Sequence, residues 1–240
     1  MKMTIKTGLL LSVLFTAISC SEKIDGSVEI PIPEGVEQVE GENSFTIPVY
    51  SGDHLVFDGV VMDDEYAGLI PIELTYGEVK MKVYAAIYGE AILFAVVCHD
   101  PVQVIDLPGQ NEAWAPSDGL NIYFDPNGLS YNAVVEGLFR LSTIADGGYS
   151  LSCGRNDGKW IPVYTSMGIR SKGHRLPDRY LFEISIPLQT LGVTDISCMR
   201  MGYELKETSG TGISYDCVRD FDKLKPCTWC KTLPLFKTDS

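Results

Sequence analysis

The sequence predicts an all-β fold, an antiparallel β-sandwich of jelly-roll-like type, built as a single domain over residues 45–240. Three observations lead there. Short apolar or alternating segments of strand length recur along the chain, with no sustained helical stripe between them. The 23 Gly and 13 Pro are spread throughout and break the chain into short pieces, which argues against a helical bundle. The 45% apolar fraction, with 10% aromatics, is enough to fill the core of one domain in a 240-residue chain. A net charge of −13 excludes nucleic-acid binding driven by release of phosphate counterions.

Residues 1–19 read as a lipoprotein signal peptide. Lys2 and Lys6 form a basic start, and the uncharged, mostly apolar run Gly8–Ile18 ends at Ser19 and Cys20. That run is shorter than the about 20 apolar residues a spanning helix needs. Ala17, Ile18, Ser19 and Cys20 resemble a bacterial lipobox, with Ala17 where Leu is usual; the resemblance makes Cys20 the lipid anchor. Residues 20–44 are then anchor and linker. They are acidic, free of aromatics and interrupted by Pro31 and Pro33, as a flexible stalk would be, with an edge strand at Val28–Ile32 as the alternative. The expected location is a membrane, held through acyl chains only, on the outer membrane, its periplasmic face or the cell surface.

The elements of the body follow in order. Glu78–Ile87 alternates, with Val79, Met81, Val83, Ala85 and Ile87 on one face and Lys80, Lys82 and Tyr84 on the other. Gly89 and Glu90 read as a hairpin turn into the continuous apolar run Ala91–Cys98. Leu120–Asp125 alternates again, and Asp125-Pro126-Asn127-Gly128 is a strong turn signal. Val134–Ile144, Tyr149–Cys153, Val163–Ile169, Tyr180–Ile186 and Met199–Leu205 continue the series. Pro187–Leu191 has room for one helical turn. Glu183 alternates with inward-facing neighbours, which points it to solvent.

Beyond Cys20, the cysteines are Cys98, Cys153, Cys198, Cys217, Cys227 and Cys230, an even set that permits disulfides in an exported chain. Cys227 and Cys230 have redox-motif spacing, yet Pro234 and the chain end follow where a helix would be needed; structural bridging or burial is expected instead. Neither Cys198 nor Cys217 provides the second close pair of a zinc site. Cys98, inside an apolar run, reads as a buried thiol. The three His, at 54, 99 and 174, form no metal-ligand pair.

Four stretches fall, in register, into one shared pattern. Phe57, Asp58 and Gly59 with the acidic Asp63–Glu65 match the opening signature. Val83–Tyr88 followed by Ile92–Asp100 matches the paired strands that end in Asp. Trp114, Asp118, Asn121 and Asp125 match a block in which Glu usually stands where Asn121 is. Tyr180, Glu183, Ile186, Pro187, Leu191 and Gly192 match the late strand. Together the four stretches resemble the family 9 carbohydrate-binding domains and their DOMON-like relatives. The resemblance implies a β-sandwich that binds oligo- or polysaccharide between aromatic rings, often with calcium nearby, and that works beside glycan-uptake or hydrolase proteins.

Carried over residue by residue, Trp114 is the first aromatic platform and Trp160 a second ring. Asn121 and Arg140 are the polar groups for sugar hydroxyls. Asp100, Asp118 and Asp125 are the candidate calcium ligands, since calcium takes oxygen donors; strand-end Asp residues also cap turns. A buried, structural role is the competing reading for each Trp, and Trp229, between two cysteines, is assigned to it. A sandwich that kept the fold without a sugar pocket is the second reading, and Asn121 in place of Glu is the feature behind it. A glycoside hydrolase is the third; it needs a facing pair of carboxylates that nothing in the sequence singles out. No Gly-x-Ser-x-Gly elbow or phosphate loop is present, so the chain reads as a non-enzyme.

Overall fold

The computed structural model describes residues 32–237 apart from 51–56, 63–64, 67, 105–116, 165–166 and 209–220. Trp114, Cys20 and Cys217 therefore lie outside the described residues, as do the signal peptide and residues 20–31 of the linker. The described strands are β1 (Ser44–Tyr50), β2 (Ile72–Tyr76), β3 (Val79–Tyr88), β4 (Ala91–His99), β5 (Gly119–Asp125) and β6 (Phe139–Thr143). The second half of the chain adds β7 (Tyr149–Gly154), β8 (Trp160–Val163), β9 (Arg170–Leu176), β10 (Arg179–Pro187), β11 (Arg200–Lys206) and β12 (Cys230–Lys237). The expected all-β sandwich is present.

One layer runs β8-β7-β6-β5-β11 and the other β3-β4-β10-β9, with β12 and β1 joining them into one strongly curled sheet. The layers pack inner face to inner face. Phe94 of β4 meets Phe124 of β5 and Tyr203 of β11 edge-on, with ring centroids 6.0 and 6.3 Å apart. The alternation read in β3 holds: Met81, Val83 and Ile87 are buried in the common core, and Lys80 and Lys82 are exposed. A short 3-10 turn at Leu188–Leu191 follows β10 and ends in Gly192 at φ 68°.

The pairing is not antiparallel throughout. β1 runs parallel to β12 along its whole length and parallel to the end of β3, sharing that edge of β3 with the antiparallel β2. Two segments also depart from the sequence reading. Val134 and Val135 are buried but not in a strand, because Gly137, at φ 88°, turns the chain before β6. The strand expected at Val163–Ile169 ends at Val163 as β8; the chain turns at Met167 and Gly168 and resumes as β9. No disulfide joins one described cysteine to another, and Cys98 is a buried thiol whose pKa burial pushes up to about 12.

Glu183 is the largest departure. Its outward side chain is fully buried, because the 57–66 segment folds over it. Its Oε2 accepts the amides of Asp58 and Gly59 at 2.8 and 2.7 Å, and Oε1 accepts the Tyr66 hydroxyl. Gly59 sits at φ 82°, and a Cβ there would lie 2.9 Å from the backbone of Lys172, so only glycine turns both amides onto the carboxylate. Glu183→Ala should lower the unfolding free energy by about 3 kcal/mol in urea titration, since it strands two amides and a phenol. Glu183→Gln, which keeps an acceptor, should lose less. Wild-type stability in Glu183→Ala would mean that other contacts hold the segment down.

Candidate functional site

The outer face of the β5-β6-β11 layer gathers the described residues that the sequence assigned to sugar binding, Asn121, Arg140 and Trp160. Alternation along β5 points Asn121 and Tyr123 outward while Leu120, Ile122 and Phe124 fill the core. Arg140 of β6 is the register partner of Tyr123, and Glu204 of β11 is the partner of Asn121. Glu204 is almost fully buried. Its Oε2 accepts Asn121 Nδ2 and the Tyr123 hydroxyl, each at 2.6 Å, and its Oε1 takes Lys223 Nζ at 2.9 Å. The acidic group missing at position 121 is thus supplied one strand away. Burial and the Glu204 charge push the Tyr123 phenol well above its ordinary pKa, so it stays a donor.

Trp160, at the start of β8, is half-buried. The Arg140 guanidinium lies over its ring, 5.6 Å from the centroid, and Tyr123 packs against it at 5.9 Å. Trp229 packs on this same face against Tyr123, with ring centroids 5.5 Å apart, and is fully buried there as a structural residue; its Nε1 donates to the Asp222 carbonyl at 3.1 Å. Phe221 closes on Gly202, where a Cβ would stand 2.0 Å from its ring. Two polar atoms here have no hydrogen-bond partner among the described residues: the acceptor Asn121 Oδ1 and the donor Arg140 Nε. A buried unpaired acceptor and donor on one face fit a ligand that offers both, as a hydroxyl does. Nearby, burial lowers the pKa of Lys206 to about 8 against the pull of Asp118 and Glu204.

The second cluster lies at the end of the sandwich where β5 begins. Asp100 follows β4, Asp118 precedes β5, and Glu207 follows β11. Because Lys206 pairs with Gly119, Glu207 falls beside Asp118. All three are buried, with ligand oxygens within 4.8 Å of one another. Asp118 Oδ1 accepts the Thr208 amide and hydroxyl at 2.9 and 2.7 Å, and Oδ2 accepts the Val104 amide. Asp100 Oδ1 accepts the Val102 amide at 2.9 Å, but Asp100 Oδ2 has no donor among the described residues. Asp125 does not join them. It lies at the far end of β5, about 23 Å away at strand rise, where it caps a turn through the amides of Leu129 and Ser130 at 2.9 and 2.7 Å.

Calcium is tested against this geometry by the orphaned oxygen. With Ca–O distances of about 2.3–2.6 Å, ligands across one ion stand about 5 Å apart, so the spread of the three carboxylates fits a single cation. Nothing in the sequence joins Glu207 or Glu204 to these clusters. Outward alternation in the Met199–Leu205 strand marks Glu204 as surface-directed, but the pairing of β11 with β5 is what brings both residues into place.

Among solved structures, a family 9 carbohydrate-binding module from Caldicellulosiruptor kristjanssonii in complex with cellotriose is 14% identical to the chain, with a TM-score of 0.58. That alignment covers 81% of this chain and 96% of the other. The module in complex with glucose gives the same identity and TM-score over 82% and 98%. A Bacteroides uniformis ATCC 8492 protein, provisionally described as carbohydrate-binding, is 10% identical over 80% and 99%, with a TM-score of 0.57. The chain therefore shares the fold of family 9 carbohydrate-binding modules. No protein-family model matches the sequence, nor does any curated protein sequence.

The acidic cluster carries a pH dependence. Burial first, then the charges of Asp118 and Glu207, raise the Asp100 pKa from 3.8 to about 6. A proton held more tightly in the folded state stabilises it fully below the unfolded pKa, and that contribution fades as pH rises through about 6. In chelator, Asp100→Asn should therefore be more stable than wild type by about 2 kcal/mol at pH 7.5, with the difference shrinking towards pH 4. Denaturant melts at several pH values read this directly, and a pH-independent difference would contradict it.

Proposed function

We propose that the domain binds carbohydrate on the outer face of the β5-β6-β11 layer, as a non-catalytic module. The observation that carries this is the pair of unmet polar atoms, Asn121 Oδ1 and Arg140 Nε, beside the half-buried Trp160 indole. A pyranose has an apolar C–H face for an indole and a hydroxyl rim for amide, guanidinium and carboxylate groups. In this reading Arg140 donates to a hydroxyl, Asn121 accepts from one, and Glu204 holds Asn121 in place. Trp160 is one ring platform, and Trp114 is carried from the sequence as the other. The complexes of similarly folded modules with cellotriose and glucose support saccharide as the ligand class.

Binding is favoured over hydrolysis because glycosidic cleavage needs two facing carboxylates. Glu204 is committed to three donors, and no second carboxylate bonds into its cluster among the described residues. The proposed setting is an exported lipoprotein tethered through Cys20, holding glycan for uptake or hydrolase partners; the signal-like residues 1–19 and the lipobox-like Cys20 support it.

Isothermal titration of the folded domain against glucose, cellotriose and a panel of plant, host and microbial glycans tests the reading. Wild type should bind at least one. Arg140→Ala should weaken that binding at least tenfold, about 1.4 kcal/mol, with little change in the melting midpoint. Binding by no glycan, or undiminished binding by Arg140→Ala, would refute the site.

Calcium is proposed as a structural ion held by Asp100, Asp118 and Glu207, where it would supply the positive charge that three buried carboxylates lack. At a calcium concentration of about 100 times Kd, the folded state should gain about 2.7 kcal/mol over its state in chelator. Glu207→Gln should lose most of that gain. A melting midpoint indifferent to millimolar calcium would exclude the ion.

A further inference from the structure

The outer face of the opposite layer contains a second cleft, of about 370 Å³, within the range of small-ligand sites. We propose that it binds a single neutral hexose unit, independently of the Arg140–Trp160 face. Its floor spans four adjacent strands: Tyr88 of β3, Leu93 of β4, Glu183 and Ser185 of β10, and Arg170 of β9, with Phe57 as the overhanging wall. Ser185 is the register partner of both Leu93 and Arg170, so these three lie in one row across the sheet. A site laid over paired strands is held more firmly than one on a loop.

Two rings are fixed in place. Tyr88 stacks on Tyr50, with centroids 4.7 Å apart and planes 11° from parallel. Phe57 lies under the Arg170 guanidinium, 5.0 Å from the ring centroid. Around them stand groups with unused hydrogen-bonding capacity. The Ser185 hydroxyl is nearly buried and has no partner among the described residues. Arg170 is exposed and makes no ion pair among the described residues. Glu183, fully buried beneath Asp58, Gly59 and Tyr66, gives the cleft its charge rather than a contact.

The charges decide the ligand class. Among the described residues Arg170 and Glu183 are the only charged groups lining the cleft, and they cancel, so neither an anion nor a cation finds a net counter-charge. A flat apolar face flanked by a guanidinium and a hydroxyl matches a neutral, hydroxyl-rich ring. The cleft is on the layer opposite Asn121 and Arg140, and Glu183 is already anchored, so a ligand need not displace the segment above it.

The test is an amide nitrogen–proton NMR titration of the wild-type domain with glucose, galactose, mannose and N-acetylglucosamine. At least one sugar should produce saturable shifts at the amides of Tyr88, Leu93, Arg170 and Ser185. Arg170→Ala should weaken that response at least tenfold, and Tyr88→Leu, which keeps apolar bulk without the flat ring, should do the same. Both should retain a wild-type dispersed spectrum. Shifts at Asn121 and Arg140 report the other face, so a silent Arg140 set with a responsive Ser185 set separates failure of the first site from failure of this one. No saturable shift at the Ser185 set with any of the four sugars, or an unchanged response in Arg170→Ala, overturns the proposal.

Discussion

A carboxylate taken out of water must be given hydrogen-bond donors or a counter-charge, and this strongly acidic chain buries several. How each is met sorts the molecule into its parts. Glu183 receives two amides and a phenol, and the result is a lock between segments far apart in sequence. Asp125 receives two amides of the turn that follows it and faces Arg200 across the sheet, which fixes the exit from β5. Glu204 receives an amide, a phenol and an ammonium, and becomes the organiser of the Asn121–Arg140 face. Asp100, set beside Asp118 and Glu207, keeps one oxygen, Oδ2, that no donor among the described residues satisfies.

The lock at Glu183 gives a physical meaning to two of the sequence signatures. Phe57-Asp58-Gly59 and the Tyr180–Glu183 stretch are far apart along the chain, yet they are donor and acceptor of a single buried cluster. Neither makes sense alone. The same logic applies to Asn121: with Glu204 as its cross-strand partner, the face keeps a carboxylate although the residue at 121 is neutral.

Much of the fold was legible because burial is written as alternation. Val79, Met81, Val83 and Ile87 declare the inner face of β3, and Gly89 marks its turn. β2, with Ile72, Leu74 and Tyr76 turned to the core, carries the same code and is absent from the sequence reading; other missed strands carry features that obscure it. β9 reads Arg170–Leu176 with mostly charged or polar side chains, since it is an edge strand half open to water. β1 and β12 each carry a proline, Pro48 and Pro234, which argues against a strand unless the missing N–H has no partner to serve. β12 pairs with β11 only at Cys230 and Lys231, so Pro234 sits where that edge is open. The sites were half legible. Asn121, Arg140 and Trp160 were identifiable by residue type and family likeness, whereas Glu204 and Glu207 depend on which strand lies beside which, a fact of register that no local pattern encodes.

The parallel pairing of β1 with β12 has a mechanical consequence. Seven residues of β1 are matched to β12, from Ser44 beside Lys231 to Tyr50 beside Lys237. A pull applied upstream of Ser44 and opposed beyond Lys237 drags the two strands past each other lengthwise. Every rung of the ladder is then loaded at once in shear, rather than opening one after another as in a zipper. The seam that unites the two layers is therefore also the element that resists tension between the two ends of the domain.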